Sequence, residues 1–261
     1  MGIALSTLVL FFLLIPGIAF RRFYYSEEFS REYFKESFFG VFFSTLIPSV
    51  LFHTVWFFLA RLLGYDVSLY ILADIISQSP EIQSFSNFQI NSGKILFYNS
   101  TMIIVAGFLG YYLKNFIRSR KWDRTYKFFR FQNSWHYILK GEFFDFPRAE
   151  FTLDKDTVED IEFVFIDAIV ELNSDTYLYD GILVDYELRN DGGLETISLK
   201  NSQRRKLSQD NMTVEDEITG TRYYPIEGHI LVLKYSEVKN LNFTYLRLEK
   251  EENNYRPRLV S

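Results

Sequence analysis

The chain has 261 residues and no cysteine, which excludes disulfide bonds, thiolate metal sites and cysteine nucleophiles. Its net charge of −5 is unevenly distributed: residues 1–130 carry 13 basic and 8 acidic side chains, whereas residues 131–261 carry 15 basic and 25 acidic ones. Because an acidic C-terminal half lacks the cationic surface that dominates nucleic-acid affinity, we expect no DNA or RNA partner.

Three stretches without Asp, Glu, Lys or Arg lie in the N-terminal half, at residues 3–20, 37–60 and 95–113. Each is about as long as a helix that crosses roughly 30 Å of hydrocarbon. The first lacks the positive n-region of a signal peptide, because Arg21 and Arg22 follow it. We therefore predict three retained transmembrane helices in a lipid bilayer. The predicted domains are a membrane domain, residues 1–130, and a second domain, residues 131–261.

Basic residues are unequally shared among the segments that flank these stretches. Residues 21–36 hold four, residues 61–94 hold two and residues 114–130 hold seven. The positive-inside rule then predicts an external N-terminus and a cytoplasmic C-terminal domain. Cations directly after the third span also suit anionic lipid headgroups. The candidate headgroup ligands are Arg118, Arg120, Lys121 and Arg124.

Three polar side chains within or near the predicted spans are candidates for function: His53, Asn99 and Thr101. An ionisable group at membrane depth is a functional candidate by default, as a proton relay or a gate. The alternative is a neutral His53 that is hydrogen-bonded to a neighbouring helix. Because the spans offer no second ionisable partner, the structural interpretation of His53 is favoured.

Alternation with a period of two replaces the helical blocks from about residue 135 onwards. We predict a short strand at residues 135–139 and then a small all-β domain. Its five predicted strands are residues 162–171, 176–189, 194–205, 228–235 and 242–249. The Asn-Asp-Gly-Gly sequence at residues 190–193 predicts a hairpin turn, and residues 236–240 predict a one-turn link between the last two strands.

This strand order, with one turn between strands four and five, resembles the SH3-like and Sm-like small barrels. The resemblance implies a small five-stranded barrel over residues 160–250. Asp180, Gly181 and Asp185 partly match the Sm pattern, but the asparagine that follows the aspartate is displaced and the final Arg-Gly pair is missing. The departure from the pattern argues against Sm-type RNA binding.

The whole chain also resembles an uncharacterised family of bacterial membrane proteins. The residues that carry this resemblance are 14–17, 179–183, 185–188, 232–235 and 239–242. It implies a multi-pass protein of the bacterial inner membrane, in accessory genomic neighbourhoods that include phage-defence loci. The resemblance supplies no catalytic residues.

Catalytic and metal-binding patterns are missing from the sequence. His136 and His229 have no ligand spacing such as HExxH, and the acidic residues 154–160 lack the glycine and terminal glutamate of an EF-hand. We expect no enzyme activity, no cofactor and no metal. The basic triplet Arg204, Arg205 and Lys206, in an acidic domain, is the candidate partner-binding site, for a phosphate, a lipid headgroup or an acidic partner. The alternative is a solvated strand end, and this interpretation is favoured.

These observations favour a non-enzymatic membrane protein that presents a cytoplasmic barrel for the recruitment or sensing of a protein partner, in an antiviral or stress system. The alternative is an oligomeric pore gated by the barrel, with His53, Asn99 and Thr101 as lining or gating residues. A homo-oligomer with ion flux would favour the pore, whereas capture of a partner by the C-terminal domain would favour recruitment.

Overall fold

The protein is described by a computed structural model. It describes residues 2–30, 37–65, 89–149, 153–173, 175–209, 223–251 and 254–261. Most of the predicted external segment 61–94, and most of the connection between the predicted strands 194–205 and 228–235, lies outside these residues. The chain divides into two compact units, Met1–Trp122 and Asp123–Ser261.

The first unit is helical. Its long helices are α1 (Gly2–Tyr24), α2 (Phe38–Leu62) and α3 (Ser92–Ser119). In the described part of the chain, two helices are long and apolar enough to cross a membrane: α2 from Phe39, and α3. Only 11% and 22% of the residues in their most apolar windows are buried, whereas a core helix of a water-soluble protein is mostly buried.

Within this unit, α1 packs against both α2 and α3. A Cβ atom added at Gly17 would run into the backbone oxygen of Thr45 in α2, and one added at Gly110 into the backbone oxygen of Phe20 in α1. Small residues at such crossings let helix backbones approach closely. Two glycines therefore set how near α1 lies to its two neighbours.

The second unit begins with the end of α4 (Trp122–Thr125) and α5 (Ser134–Leu139), followed by an antiparallel sheet. The strands are β1 (Phe163–Leu172), β2 (Asp175–Leu188), β3 (Leu194–Lys206), β4 (Tyr224–Pro225), β5 (Leu231–Lys234), β6 (Val238–Glu251) and β7 (Asn254–Leu259). Their order is β4-β3-β2-β1-β6-β7, and β5 also pairs with β3. The sheet is curled into a half-barrel.

One face of the sheet carries the core. Val164, Ile166, Ala168 and Val170 alternate along β1 and are buried, as expected for a strand with one face inward. The core also includes Leu139 of α5. The side chains that complete the core are Tyr179, Leu188, Leu194, Ile197, Leu199, Leu233 and Tyr245. The phenol of Tyr245 donates to the carbonyl oxygen of Ile138 at 2.7 Å, which ties α5 to β6.

The predicted strand at residues 135–139 is wrong, because these residues lie in α5. The side chain of Asn133 accepts a hydrogen bond from the backbone N–H of His136, which caps the helix. Helical spacing then places Trp135 and Leu139 on one face, against the core. A short apolar run does not distinguish the two periods by itself.

The predicted main strands correspond to β1, β2, β3, β5 and β6, and the turn between the last two is a 3₁₀ helix, Tyr235–Glu237. The hairpin is confirmed, with Gly192 at φ +82° and the N–H of Arg189 bonded to the oxygen of Gly193. The described residues form seven strands rather than five, because β4 and β7 were not predicted. β4 has only two residues, and both strands contain a proline that weakens the strand signal.

Candidate functional site

A surface groove of about 380 Å³ lies beside β3, between the part of β3 that pairs with β4 and the part that pairs with β5. Its lining residues are Tyr179, Arg204, Tyr224, Pro225, Ile226, Glu227 and Leu231. We call it the Arg204 groove. Its volume lies within the range of about 300–1,000 Å³ that is typical of ligand sites.

Strand register places a tyrosine on each side of Arg204. Tyr179 of β2 is opposite Arg204 of β3, which in turn is opposite Tyr224 of β4. Directly opposed residues of antiparallel strands lie on the same face. The Cζ atom of Arg204 is 5.6 Å from the ring centroid of Tyr224 and 5.8 Å from that of Tyr177. Such cation–π contacts orient a guanidinium, whose N–H groups still donate in its plane.

The floor of the groove is apolar and continuous with the core. Tyr179 is 8% exposed and belongs to the core, and Ile226 and Leu231 pack against it. The N–H of Ile226 donates to the oxygen of Ser202 at 2.9 Å, which holds the segment beyond β4 against β3. By contrast Tyr224, at the rim, is 67% exposed. The groove therefore combines a buried floor with an accessible aromatic edge.

The charged residues around the groove leave the guanidinium of Arg204 available to a ligand. Among the described residues, Arg204 forms no ion pair, although Glu227 lines the same groove. Lys206 differs: its ammonium lies 2.7 Å from a carboxylate oxygen of Asp175, and this hydrogen bond raises the pKa of Lys206. Arg204 can therefore offer a charge-assisted hydrogen bond to an acidic ligand.

The predicted basic triplet is divided between two faces of β3. Arg204 and Lys206 oppose Tyr179 and Tyr177 and share the face of the groove. Arg205 opposes Leu178 instead, and its guanidinium lies 5.2 Å from the ring centroid of Tyr223. Consecutive strand residues point to opposite faces, so the three cations do not form one patch.

The three polar candidates of the first unit are hydrogen-bonded inside the bundle. His53 Nε2 lies 3.1 Å from the oxygen of Leu13 in α1. Asn99 donates to the oxygen of Ile95 in its own helix. Thr101 donates to the oxygen of Phe97 and accepts from the indole N–H of Trp56. In the described helices, no two of the three candidates bond to each other.

The predicted headgroup ligands lie in two kinds of environment. Arg118 and Arg120 rest against the rings of Phe29 and Phe116, with Cζ-to-centroid distances of 5.4 and 5.7 Å, and Lys121 follows with φ +54°. Arg124 is buried. Its guanidinium lies 2.9 Å from Glu142 Oε1 and 2.6 Å from Asp145 Oδ2. The charge of Arg124 is thus compensated by the protein, and the headgroup prediction is carried by the other three.

A buried polar cluster near α5 was not predicted. His136 Nδ1 lies 3.1 Å from the hydroxyl of Tyr186, and its Nε2 lies 3.8 Å from Glu142 Oε1. The hydroxyl of Tyr137 donates to Asp123 Oδ2 at 2.9 Å. These contacts tie the segment before β1 to the sheet. Neither the spacing of its members in the sequence nor any motif identifies the cluster, because these residues come together only through packing.

The chain matches no family model, no curated protein and no solved structure.

Proposed function

We propose that the chain is a membrane-anchored, non-enzymatic protein whose C-terminal unit recruits or senses a protein partner at the cytoplasmic face of a bacterial inner membrane. The observation that carries the proposal is the Arg204 groove, in which an apolar floor lies beside a guanidinium held between tyrosine rings. An antiviral or stress setting is the context that the resemblance of the whole chain suggests.

Three membrane crossings are part of this proposal. Like α2 and α3, α1 carries outward apolar side chains: Leu10, Phe11 and Phe12 are 51%, 57% and 46% exposed. Surfaces of this kind are unfavourable in water and suit lipid. Close contact with α2 and α3 at Gly17 and Gly110 supports a third span. With three crossings, the basic connectors favour a cytoplasmic C-terminal unit.

We also propose that the half-barrel is of the SH3-like type. The sheet pairs β6 with β1, and the one-turn helix Tyr235–Glu237 joins β5 to β6. Both features support the resemblance that the strand order suggested. In this interpretation β4 and β7 are additions to the five strands of the small barrel.

The chemistry of the groove favours an acidic and partly apolar peptide segment as the partner. A carboxylate can accept two parallel hydrogen bonds from the guanidinium of Arg204. An adjacent apolar side chain can cover Tyr179 and Leu231. Because Glu227 repels an anion, the partner's carboxylate belongs at the Arg204 side of the groove.

Recruitment is favoured over a pore because the polar side chains of the bundle are bonded within it. His53 and Thr101 bond to neighbouring helices, and Asn99 bonds to its own helix. A pore would need such groups to face water, with their hydrogen bonds available to an ion or a proton.

The test uses the full-length chain in detergent and two fluorescent peptides of equal length, one alternating Glu and Leu and the other alternating Lys and Leu. We expect the acidic peptide to bind and the basic one not to bind. Replacing Arg204→Ala should weaken binding by at least about tenfold, since a hydrogen bond to a charged group contributes about 1.5–3 kcal/mol. Arg189→Ala is the control, because Arg189 is exposed and paired with Asp191 in the hairpin.

Equal binding of both peptides, or unchanged binding by Arg204→Ala, would show that the groove does not recruit an acidic partner. Ion flux into liposomes that His53→Ala alters would favour the pore instead. Protease added to intact cells tests the sidedness: the C-terminal unit should be protected until the membrane is opened.

A further inference from the structure

A row of four oxygen-bearing side chains crosses the sheet on the face opposite the core. Asn242 of β6 is opposite Asp167 of β1, Asp167 is opposite Asp180 of β2, and Asp180 is opposite Gln203 of β3. Directly opposed residues share a face, with Cβ atoms about 4.5–5.5 Å apart. We call these four residues the carboxylate row.

Apolar side chains border the row on both sides. Phe165 and Ile182 form the opposed pair on one side, and Ile169 and Leu178 form a pair on the other. All four are partly buried. The two carboxylates are therefore held between apolar neighbours, where water screens their charges less than it does on an open surface.

Asp180 is the buried member of the row. It is 5% exposed, and its Oδ1 has no hydrogen-bond partner among the described residues. A buried polar atom without a partner carries a desolvation cost that native proteins rarely leave uncompensated. Burial, and then the charge of Asp167, raise the pKa of Asp180 to about 6.

The other groups that act on Asp180 come from β3. A hydrogen bond with the backbone of Gln203 and the charge of Arg205 both favour the ionised carboxylate, but they act less strongly than burial. The guanidinium of Arg205 rests over the ring of Tyr223. Asp167 is partly compensated, because the amide of Asn242 donates to its Oδ2 at 3.0 Å. Asp180 nevertheless lies opposite a second carboxylate, that of Asp167.

We propose that the carboxylate row binds a divalent cation of the Ca²⁺ and Mg²⁺ class between Asp167 and Asp180. A cation there would neutralise two like charges and give the Oδ1 of Asp180 a partner. The amide oxygen of Gln203, together with water, would supply further ligands, since hard cations prefer oxygen. This site lies on the face opposite the Arg204 groove and does not rest on the proposed function.

The site is expected to be weak. Among the described residues no three His, Cys, Asp or Glu side chains gather in one place, and the row offers only two carboxylates. Affinity for Ca²⁺ increases with the number of charged ligands and with rigidity, so we expect a Kd of about 10⁻⁴–10⁻³ M. At that affinity the site would sense a cation rather than hold it permanently.

Isothermal titration of the full-length chain in detergent tests the proposal, after treatment with EDTA and at a pH of about 7.5, where Asp180 is ionised. CaCl₂ and MgCl₂ are titrated separately. We expect at least one of them to bind, and Asp180→Asn and Asp167→Asn each to weaken binding by at least about tenfold. Asp185→Asn is the matched control, because it removes the same charge from the same strand at an exposed position.

Three results would overturn the proposal: no binding of either cation to the unaltered chain, unchanged binding by Asp180→Asn, or an equal loss in Asp185→Asn. If neither cation binds but stability still depends on the protonation of Asp180, the carboxylate row binds only a proton and the proposed cation site is wrong. Lowering the pH to about 5 should also weaken cation binding, because protons then compete for Asp180.

Discussion

The two units of this protein are built with opposite distributions of polarity. In the helical unit, apolar side chains such as Phe97 and Phe108 point outward, at 73% and 59% exposure, while Ser49 and His53 bond to the backbone of α1 inside the bundle. In the β unit, Ile166 and Ile197 are fully buried and ion pairs such as Glu171 with Lys239 lie outside. This difference is expected if lipid surrounds the helical unit, as proposed above, and water surrounds the β unit.

Glycine is used differently in the two units as well. In the helical unit Gly110 is required because the backbone of α1 approaches at that point. In the β unit Gly192 is required because the hairpin turn has a positive φ. Packing between helices depends on close backbone approach when lipid supplies no hydrophobic drive, whereas the sheet is held by its buried core.

The largest expected difference between the units appears when a lysine is placed on the outer surface of each one. Ile104 in α3 and Val232 in β5 are both 57% exposed. Ile104→Lys should disfavour membrane insertion by about 3 kcal/mol, because the residue lies near the middle of a candidate span. Val232→Lys should change stability by no more than about 0.5 kcal/mol, because water already surrounds it. Membrane fractions washed with carbonate measure the difference.

The comparison between the units fails if both lysine variants stay in the membrane fraction in equal amounts. It also fails if both leave it. The unaltered chain and Ile104→Leu serve as controls, since leucine preserves the apolar surface.

A smaller effect is expected where the helices touch. Gly110→Ala places a Cβ against the backbone oxygen of Phe20 and should destabilise the bundle by about 1–3 kcal/mol. Gly93→Ala, in the same helix, meets nothing within 4 Å and should leave stability unchanged or slightly higher. Thermal unfolding in detergent, followed by circular dichroism, separates the two variants, and equal midpoints would contradict the close packing of α1 with α3.

The smallest effect is a dependence of the β unit on pH. The pKa of Asp180 is about 6 in the folded chain, above its ordinary value of about 4, so the folded state binds more protons between these pH values. Stability should therefore fall as the pH rises from about 4 to about 6, and the loss remains above that range. Asp180→Asn should remove this slope and stabilise the chain at neutral pH by about 1 kcal/mol.

Urea unfolding in the presence of EDTA, at a pH of about 5 and of about 7.5, measures this slope. Asp160→Asn is the control, because Asp160 titrates below this range of pH and the variant should keep the slope of the unaltered chain. The backbone and hydroxyl of Thr157 hydrogen-bond to Asp160 and lower its pKa, so Asp160 stabilises the fold above its ordinary pKa and loses that contribution as the pH falls. A steeper slope in Asp180→Asn than in the unaltered chain would contradict the burial of Asp180.

The sheet could be predicted to a large extent because its strands repeat with a period of two and its hairpin has a specific turn. The alternation of β1 and the Asn-Asp-Gly-Gly turn are local signals, and both are seen in the structure. The helix at residues 134–139 was missed because six residues show too little of either period. The edge strand β7 was missed because Pro257 and the charges around it do not resemble a strand.

The candidate site could be predicted only in part. Arg204 was singled out by its charge in an acidic domain, and it does line the groove. Its aromatic partners Tyr177 and Tyr224 could not be identified from the sequence, because they belong to β2 and β4 and contact Arg204 only through strand pairing. For the same reason the proximity of Asp167 and Asp180, thirteen positions apart, was not visible along the chain.

By itself the sequence determined the division into apolar helices and an acidic β unit, because hydrophobic length and period are properties of neighbouring residues. Only the tertiary structure decided that Ser49 and His53 hydrogen-bond to the backbone of α1. It also decided that Arg204 and Arg205 lie on opposite faces of β3 and that Asp167 lies opposite Asp180. Those pairings depend on helix crossings and strand register, which are set by packing across distant segments of the chain.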